Sequence, residues 1–365
     1  MKAIEFLIVL PADIGLIPTI DLMRIPNGVC PSHKPVGIVD HELCPVVVLS
    51  GHTDVVPVDG QLWDTDPFSV IEKDGRLYGR GTADMKSFCA VALSLVPEMV
   101  AHDLKRPIHL AFSYDEEVGC VGVPGLIERI VAELPKPRAV VVGEPTSMRV
   151  VTAHKSLTAL ETVVTGHEAH SAQTHRGVSA VMTAARLITF LSDMAQENAA
   201  NPPSQTPFEP AYSTIHVGTV HGGTAVNIIS RECRFEWDIR CIPEDDPQAF
   251  VERFETYCQD EILPGLRKMA PDVDIVTRTL YSSPALRPEA NGEAESLAKQ
   301  LTGYNATDAV AYLAEAGQFQ EAGFSTVICG PGSIDQAHQP NEYIAWSQVE
   351  ECVGFMRALI AVQAG

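Results

Sequence analysis

The sequence lacks three things: an excess of positive charge, paired cysteines and any long apolar run. Lys and Arg number 26 against 47 Asp and Glu, for a formal charge of −21. Such a field repels a phosphate backbone or an anionic lipid surface, so no nucleic-acid and no membrane partner is expected. The nine cysteines (Cys30, Cys44, Cys89, Cys120, Cys233, Cys241, Cys258, Cys329, Cys352) stand singly, with no C-x-x-C pair. An odd, scattered set of this kind reads as reduced core thiols in a cytoplasmic protein, not as a disulfide framework. The start has an apolar flavour, but Glu5 and Asp13 interrupt it, Pro11 breaks it, and no small-x-small cleavage site follows. Neither a signal peptide nor a membrane span is expected. Internal repeats, low-complexity tracts and long linkers are missing too.

What is present is globular material, 45% hydrophobic and 20% charged over 365 residues, enough for two domains and a large core. Residues 1–45 are rich in Pro and Gly, and no element is placed there. From Val46 the text becomes regular: strand Val46–Leu49, a helical stretch Met85–Ala101, strand Ile108–Tyr114, helix Val123–Leu134 and strand Ala139–Val142. Alternation of this kind predicts an α/β domain with a mainly parallel sheet. Near residue 158 the grammar changes. Strand Thr158–Thr165, helix Gly177–Glu197, strands Ile215–Gly218, Val226–Ile229 and Cys233–Arg240, a helix from Pro247 and strand Val273–Tyr281 follow. The pattern suggests an α+β insertion of the split βαβ type. The α/β pattern then returns with helices Gly292–Leu301 and Ala314–Glu321, strand Ser325–Cys329 and a last helix Trp346–Gln363. The expected organisation is therefore one α/β domain over 1–157 and 284–365, split by an α+β domain over 158–283.

The apolar run Pro45–Leu49 has the β-branched content of a buried parallel strand, and His52 and Asp54 come where it ends. In open α/β sheets ligands gather beyond the carboxyl ends of the strands. Alternation sends His52 and Asp54 to one side, so the carboxylate can orient the imidazole as it does beside a metal. Further strand ends carry Glu116 with Glu117, Glu144, and His338, while Asp84 opens a helix. Adjacent carboxylates such as Asp115-Glu116-Glu117 are costly to bury unless a cation joins them. Two imidazoles and several carboxylates with no thiolate suit Zn²⁺, Co²⁺ or Mn²⁺. Singly, each has a plainer reading: Asp84 as an acid at a helix N-terminus, Glu144 as a turn residue, His338 as a surface histidine. Together, at the loops where a parallel sheet collects ligands, they predict a metal site.

The motifs Ser50-Gly-His-Thr-Asp-Val-Val-Pro, Gly79-Arg-Gly-Thr-Ala-Asp-Met-Lys, Asp115-Glu-Glu-Val-Gly and Gly143-Glu-Pro-Thr appear in this order. Gly166-His-Glu-Ala-His-Ser, Gly222-Gly-Thr-Ala-Val-Asn and Gly330-Pro-Gly-Ser-Ile-Asp-Gln-Ala-His follow them. Over about residues 46–365 the chain thereby resembles the co-catalytic di-zinc aminoacylase/carboxypeptidase family, metallopeptidase family M20. The resemblance implies a zinc-hydrolase catalytic domain (1–157 and 284–365) and a lid and dimerisation domain (158–283). It implies two zinc ions, with cobalt as a substitute: His52 and Glu144 on one, Glu117 and His338 on the other, Asp84 bridging. Asp54 would orient His52, and Glu116 would be the general base. His170 matches the histidine that reaches across a homodimer to the oxyanion, and Asn227 and Arg240 match substrate contacts. The substrate implied is a small N-acyl amino acid, N2-acetylornithine first; apart from the resemblance, Glu315 in Ala314-Glu-Ala-Gly-Gln-Phe-Gln is expected to face its free side-chain ammonium. Another acyl group or amine, as in a succinyl-diaminopimelate desuccinylase, an N-acyl amino acid deacylase or a glutamate carboxypeptidase, is the near alternative. A non-catalytic dimeric binding protein is the alternative of another class. His170 as a helix cap and Arg240 paired with Asp238 or Glu236 stay open; His154, His167, His175 and His221 read as surface or packing histidines. Two departures from the family stand out. The first 45 residues do not read as the helix and edge strands that usually precede the His-x-Asp strand, as if truncated or rebuilt. Ser87 and Ser156 stand where Gly is usual, and Ser87 is expected close enough to Asp84 to perturb metal affinity.

Overall fold

The computed structural model describes the backbone of Ile4–Ile8 and residues 46–365. The chain forms two compact units, one running to Ala153 and resuming over Leu286–Ala309 and Ala314–Gly365, the other His154–Ala285 with Val310–Leu313.

In the first unit the strands are β1 (Ile4–Ile8), β2 (Val46–His52), β3 (Ile71–Lys73), β4 (Arg76–Tyr78), β5 (Ile108–Ser113), β6 (Pro137–Pro145) and β7 (Val151–His154). The helices are α1 (Lys86–Ser94), α2 (Val96–Ala101) and α3 (Val123–Glu133). Every residue of β2 is buried, as a continuous apolar run covered on both faces requires. Each fully buried Val or Leu there contributes roughly 1.5–3 kcal/mol. The sequence predicts one helix over Met85–Ala101, but the structure breaks it at Leu95, because Pro97 sits in the first turn of α2, where a missing N–H is tolerated. β1 is a strand where none is expected, running parallel beside β5. The rest of the first 45 residues lies outside the described residues.

The second unit carries β8 (Leu157–Thr165), α4 (Ala180–Ala200), β9 (Thr214–Gly222), β10 (Glu232–Arg240), α5 (Pro247–Thr256), a π-helical turn, α6 (Leu263–Arg267) and β11 (Asp274–Ser283). The sheet order is β11-β8-β10-β9, antiparallel throughout, the split βαβ arrangement. On β10 the alternate residues Cys233, Phe235, Trp237 and Ile239 are buried. They meet Ala180, Ala184, Leu187, Leu191 and Met194 of α4 in one core. Ser179 caps α4, its Oγ accepting from the Met182 N–H at 3.2 Å. Lys155 is wholly buried, its ammonium donating to the carbonyls of Pro210 (2.8 Å) and Tyr212 (2.7 Å). The predicted strand Val226–Ile229 is not one. Gly223 ends β9 at φ 78°, Val226 is fully exposed, and only Ile228 makes an isolated bridge, to His170. Ile229 alone turns inward, its N–H donating to the Ala169 carbonyl at 2.8 Å.

The chain returns with α7 (Glu293–Thr302), β12 (Asp308–Val310), α8 (Ala316–Glu321), β13 (Thr326–Gly330), β14 (Tyr343–Ala345) and α9 (Trp346–Ala364). The main sheet runs β1-β5-β2-β6-β13-β7-β12. β1, β5, β2, β6 and β13 are parallel and β7 is antiparallel to β13. α9 buries Cys352, Phe355, Met356, Leu359, Ile360 and Gln363, the stripe of an amphipathic helix. That stripe joins α1, α7 and one sheet face in a single core. The expected mainly parallel α/β fold with an α+β insertion is the fold observed. Among the described residues no helix is long and apolar enough to cross a membrane.

Candidate metal centre

The carboxyl ends of β2, β5 and β6 lie side by side because β2 is central, pairing with β5 on one flank and β6 on the other. His52 therefore leaves its strand next to the Glu116-Glu117 turn after β5 and beside Glu144 near the end of β6. Glycine makes the last approach possible. A Cβ on Gly143 would lie 2.1 Å from the Phe88 ring, and one on Gly330 of β13 would lie 1.9 Å from the Gly143 carbonyl.

His52 is completely buried, with Nε2 3.0 Å from Asp84 Oδ1 and 3.7 Å from Glu144 Oε1. Its Nδ1 lies 3.1 Å from the Asp54 carbonyl and 3.4 Å from Asp54 Oδ1. Asp54 Oδ2 in turn accepts from the Glu117 N–H at 3.1 Å, joining the two loops. His338, half-exposed, sets its Nε2 3.1 Å from Glu117 Oε2 and 3.3 Å from Asp84 Oδ2. Asp84 thus stands between the two histidines. Two overlapping sets, His52 with Glu116 and Glu144, and His52 with Asp84 and Glu117, each offer ligand atoms within 4.8 Å of one another. Asp115 and His338 hold positive φ of 54° and 62°, a region that Asp and His enter more readily than most residues. The Cys120 thiol donates to Glu116 Oε1 at 3.2 Å.

The electrostatics show what these groups lack. Burial, reinforced by the charge of Asp84 and opposed by His52, pushes Glu116 up to about 8. Burial and then Asp84 raise Glu144 well above the carboxylate range. His52, which burial alone would lower, is held well above the usual imidazole value by Asp54, Asp84 and the charges of Glu144 and Glu116. Hydrogen bonds to Asp84 and Glu117 raise His338 to about 10. Against its burial, His338 and His52 hold Asp84 well below the carboxylate range. Without a cation the cluster therefore resolves its own repulsion by binding protons. Glu144 Oε1 is moreover buried with no hydrogen-bond donor. An orphaned carboxylate oxygen among imidazoles and acids fits a divalent cation, whose charge reverses each of these shifts.

The structure brings His52, Asp54, Asp84, Glu116, Glu117, Glu144 and His338 together in the first unit. It corrects one expectation. Glu315 does not face a substrate ammonium: it is fully buried, and its two oxygens accept from Ser50 Oγ and from Ser113 Oγ (2.7 Å). It staples β2 to β5 just before the residues that emerge into the centre, buried away from any substrate. Ser87, close in sequence to Asp84, turns its hydroxyl to the Thr82 carbonyl at 2.5 Å, and Ser156 Oγ accepts from the Cys241 N–H at 3.3 Å.

In the second unit His170 is exposed and caps no helix. Its Nδ1 accepts from the Ala172 N–H at 3.1 Å, which leaves Nε2 as the protonated, outward donor. Asn227 is exposed beside it, its carbonyl accepting from the Ser171 N–H at 3.0 Å. Arg240 stands at the far end of β10, with Nε 3.6 Å from Asp238 Oδ1. Sequence reasoning missed Glu342 and Arg80, buried ion-paired residues that touch the Asp84 loop. Arg80 lies inside the quoted Gly79-Arg-Gly-Thr-Ala-Asp motif, whereas nothing local marks Glu342.

A parallel α/β sheet whose strand ends converge acids and histidines on a cation site defines a metal-dependent hydrolase. The chain belongs to peptidase family M20/M25/M40, whose profile matches residues 48–362. It is 34% identical over 315 residues to an acetylornithine deacetylase of Myxococcus xanthus, covering 86% of this chain and 79% of that one. Identity to an acetylornithine deacetylase of Shigella sonnei is 32% over 298 residues, covering 82% and 75%. An M20-family metallo-carboxypeptidase from Sulfolobus solfataricus shares the fold at a TM-score of 0.67 and 18% identity, over 88% of this chain and 85% of that chain.

Proposed function

We propose that the chain is a homodimeric, two-zinc amidohydrolase that removes the acetyl group from N2-acetylornithine, giving ornithine and acetate, a cytoplasmic step of arginine biosynthesis. The observation that carries it is the buried acid–histidine cluster around Asp84, in a chain about one-third identical to two acetylornithine deacetylases. His52, Asp84 and Glu144 would hold one ion, and Asp84, Glu117 and His338 the other; cobalt suits the same donors. Ions held there would supply a Lewis-acid field to polarise the acyl oxygen and make water more acidic at neutral pH. Asp54 fixes the His52 ring. Glu116, buried and easily protonated, accepts the proton of the attacking water and passes it to the departing amine nitrogen. His170 presents its Nε2–H to the oxyanion, Asn227 assists beside it, and the fork of Arg240 takes the substrate α-carboxylate.

The geometry of the inserted unit supports a dimer. His170 and Asn227 lie before the start of β10 and Arg240 at its end, and nine residues of strand span about 27 Å. One copy of this unit therefore cannot bring both ends to one small substrate, whereas two copies can share the task. The insertion is accordingly read as the lid and dimerisation domain. Buried, unpaired thiols at Cys89, Cys120, Cys233, Cys241, Cys258, Cys329 and Cys352 support a reducing compartment.

The test is acetate release, followed by proton NMR, from zinc-loaded protein with N2-acetylornithine, beside a parallel tube of succinyl-diaminopimelate. Acetate that stops appearing on addition of a chelator is the expected result. Succinate instead would keep the hydrolase and change the substrate; silence in both tubes from folded, metal-loaded protein would overturn the reading.

A further inference from the structure

Glu342 lies four residues beyond His338, is wholly buried, and serves as acceptor for an entire turn. Its Oε1 accepts from the N–H groups of Ala83 (2.8 Å) and Asp84 (3.1 Å), its Oε2 from the Gly81 N–H (3.0 Å) and from Arg80 Nη1 (2.8 Å). The Glu342 carbonyl accepts from the Gly79 N–H at 2.9 Å. Gly81, at φ 82°, turns the backbone so that these N–H groups converge, as in anion-binding nests. Arg80 extends the contact: Nη2 donates to Gln61 Oε1 at 2.5 Å, Nη1 reaches the Gln339 carbonyl at 3.4 Å, and its guanidinium sits 5.1 Å from the Trp63 ring centroid. Gln61 Nε2 closes the circuit by donating to the His338 carbonyl at 2.9 Å.

One network thus grips the backbone N–H of Asp84 and the backbone carbonyl of His338. Their side chains meet at 3.3 Å, yet they stand on loops separated by most of the chain. We infer that Glu342, acting through Arg80 and Gln61, is a positioning residue that sets the spacing of Asp84 and His338 and thereby the affinity of the cation these two share. The inference rests on the reading of Asp84 and His338 as metal ligands. A carboxylate with four donors and no free lone pair toward solvent is a poor ligand itself, so its effect passes through the groups it holds.

The experiment is calorimetric titration of the metal-free full chain with Co²⁺ alone, with the visible cobalt spectrum and the thermal transition recorded alongside. Outer-shell partners of this kind affect metal affinity by about 10–100-fold. Glu342→Gln is expected to weaken one of two binding events by that factor and to change the cobalt spectrum, while the other event moves far less. Gln61→Ala leaves the buried Arg80–Glu342 pair in place and removes the tie to His338; it is expected to weaken the same event about tenfold at an unchanged thermal transition. If Gln61→Ala leaves both events and the spectrum as in the parent, or if Glu342→Gln folds and does the same, the inference is wrong. Asp84→Asn separates this from failure of the site reading: if it too binds Co²⁺ like the parent, Asp84 is no ligand and the whole assignment falls.

Discussion

Metal loading at pH 7 should expel protons, and the number follows from the centre. In the cation-free protein His338, raised to about 10 by Asp84 and Glu117, is protonated in about 99.9% of molecules at pH 7. His52 and Glu144 are both raised well above their ordinary values. An imidazole or carboxyl group must lose its proton to bind a metal. Filling the site should therefore release more than one proton per chain: one from His338, with His52 and Glu144, both raised, adding to it. Glu116, at about 8, carries a proton in roughly nine molecules of ten, and a neighbouring dication drives most of that off as well. The sign follows directly. All these groups are raised, so as pH falls below 7 the protonated forms persist and apparent affinity drops by more than about one order of magnitude per pH unit. As pH rises through 8 and then 10, Glu116 and His338 lose their protons beforehand and the release declines. The assay is calorimetric titration of Zn²⁺ or Co²⁺ in buffers of different ionisation enthalpy, where the slope of heat against buffer enthalpy counts protons. Release of one proton or fewer over the full titration at pH 7 would refute both the ligand set and the view that protons substitute for the cation.

Replacing Glu116 by Gln removes the proton acceptor with little change of shape, so kcat should fall by about 10²–10⁴ while metal content by atomic spectrometry stays that of the parent. Loss of bound metal would make Glu116 a ligand, as its placement within 4.8 Å of His52 and Glu144 allows. Gly143→Ala forces a methyl group 2.1 Å from the Phe88 ring, an overpacking that costs about 1–3 kcal/mol and displaces Glu144 beside it. Calorimetry should show a lower transition together with weaker metal binding, and an unchanged melting temperature would show that the strand simply shifts.

The elements with strong local patterns were legible without coordinates. The run Val46–Leu49 reads as a strand covered on both faces, and the alternation of Cys233, Phe235, Trp237 and Ile239 reads as a strand with one buried side. Burial periodicity is a local property that sequence carries directly. So is part of the candidate centre, because His52, Glu116, Glu117 and Glu144 stand at or just beyond the ends of β2, β5 and β6. His52 and Asp54, two apart, meet as alternation requires. The Val226–Ile229 segment shows the limit: its β-branched residues suggest a strand, but exposure and Gly223 leave it a loop.

What only the tertiary structure decided is which polar side chains are buried, and by whom. Glu315 meets Ser50 across 265 positions, and Glu342 meets Arg80 across 262. In the sequence neither residue shows that it is buried: Glu315 reads as a substrate contact and Glu342 as a surface acid. Burial of a carboxylate is set by where the sheet and its loops close around it, and its cost is met only by donors the fold delivers from elsewhere in the chain. The sequence alone therefore determined the main strands, the insertion and the candidate ligand residues of a metal-dependent hydrolase. The assembled sheet determined that Glu315 supports the centre from beneath, and that Glu342 holds Asp84 and His338 in register.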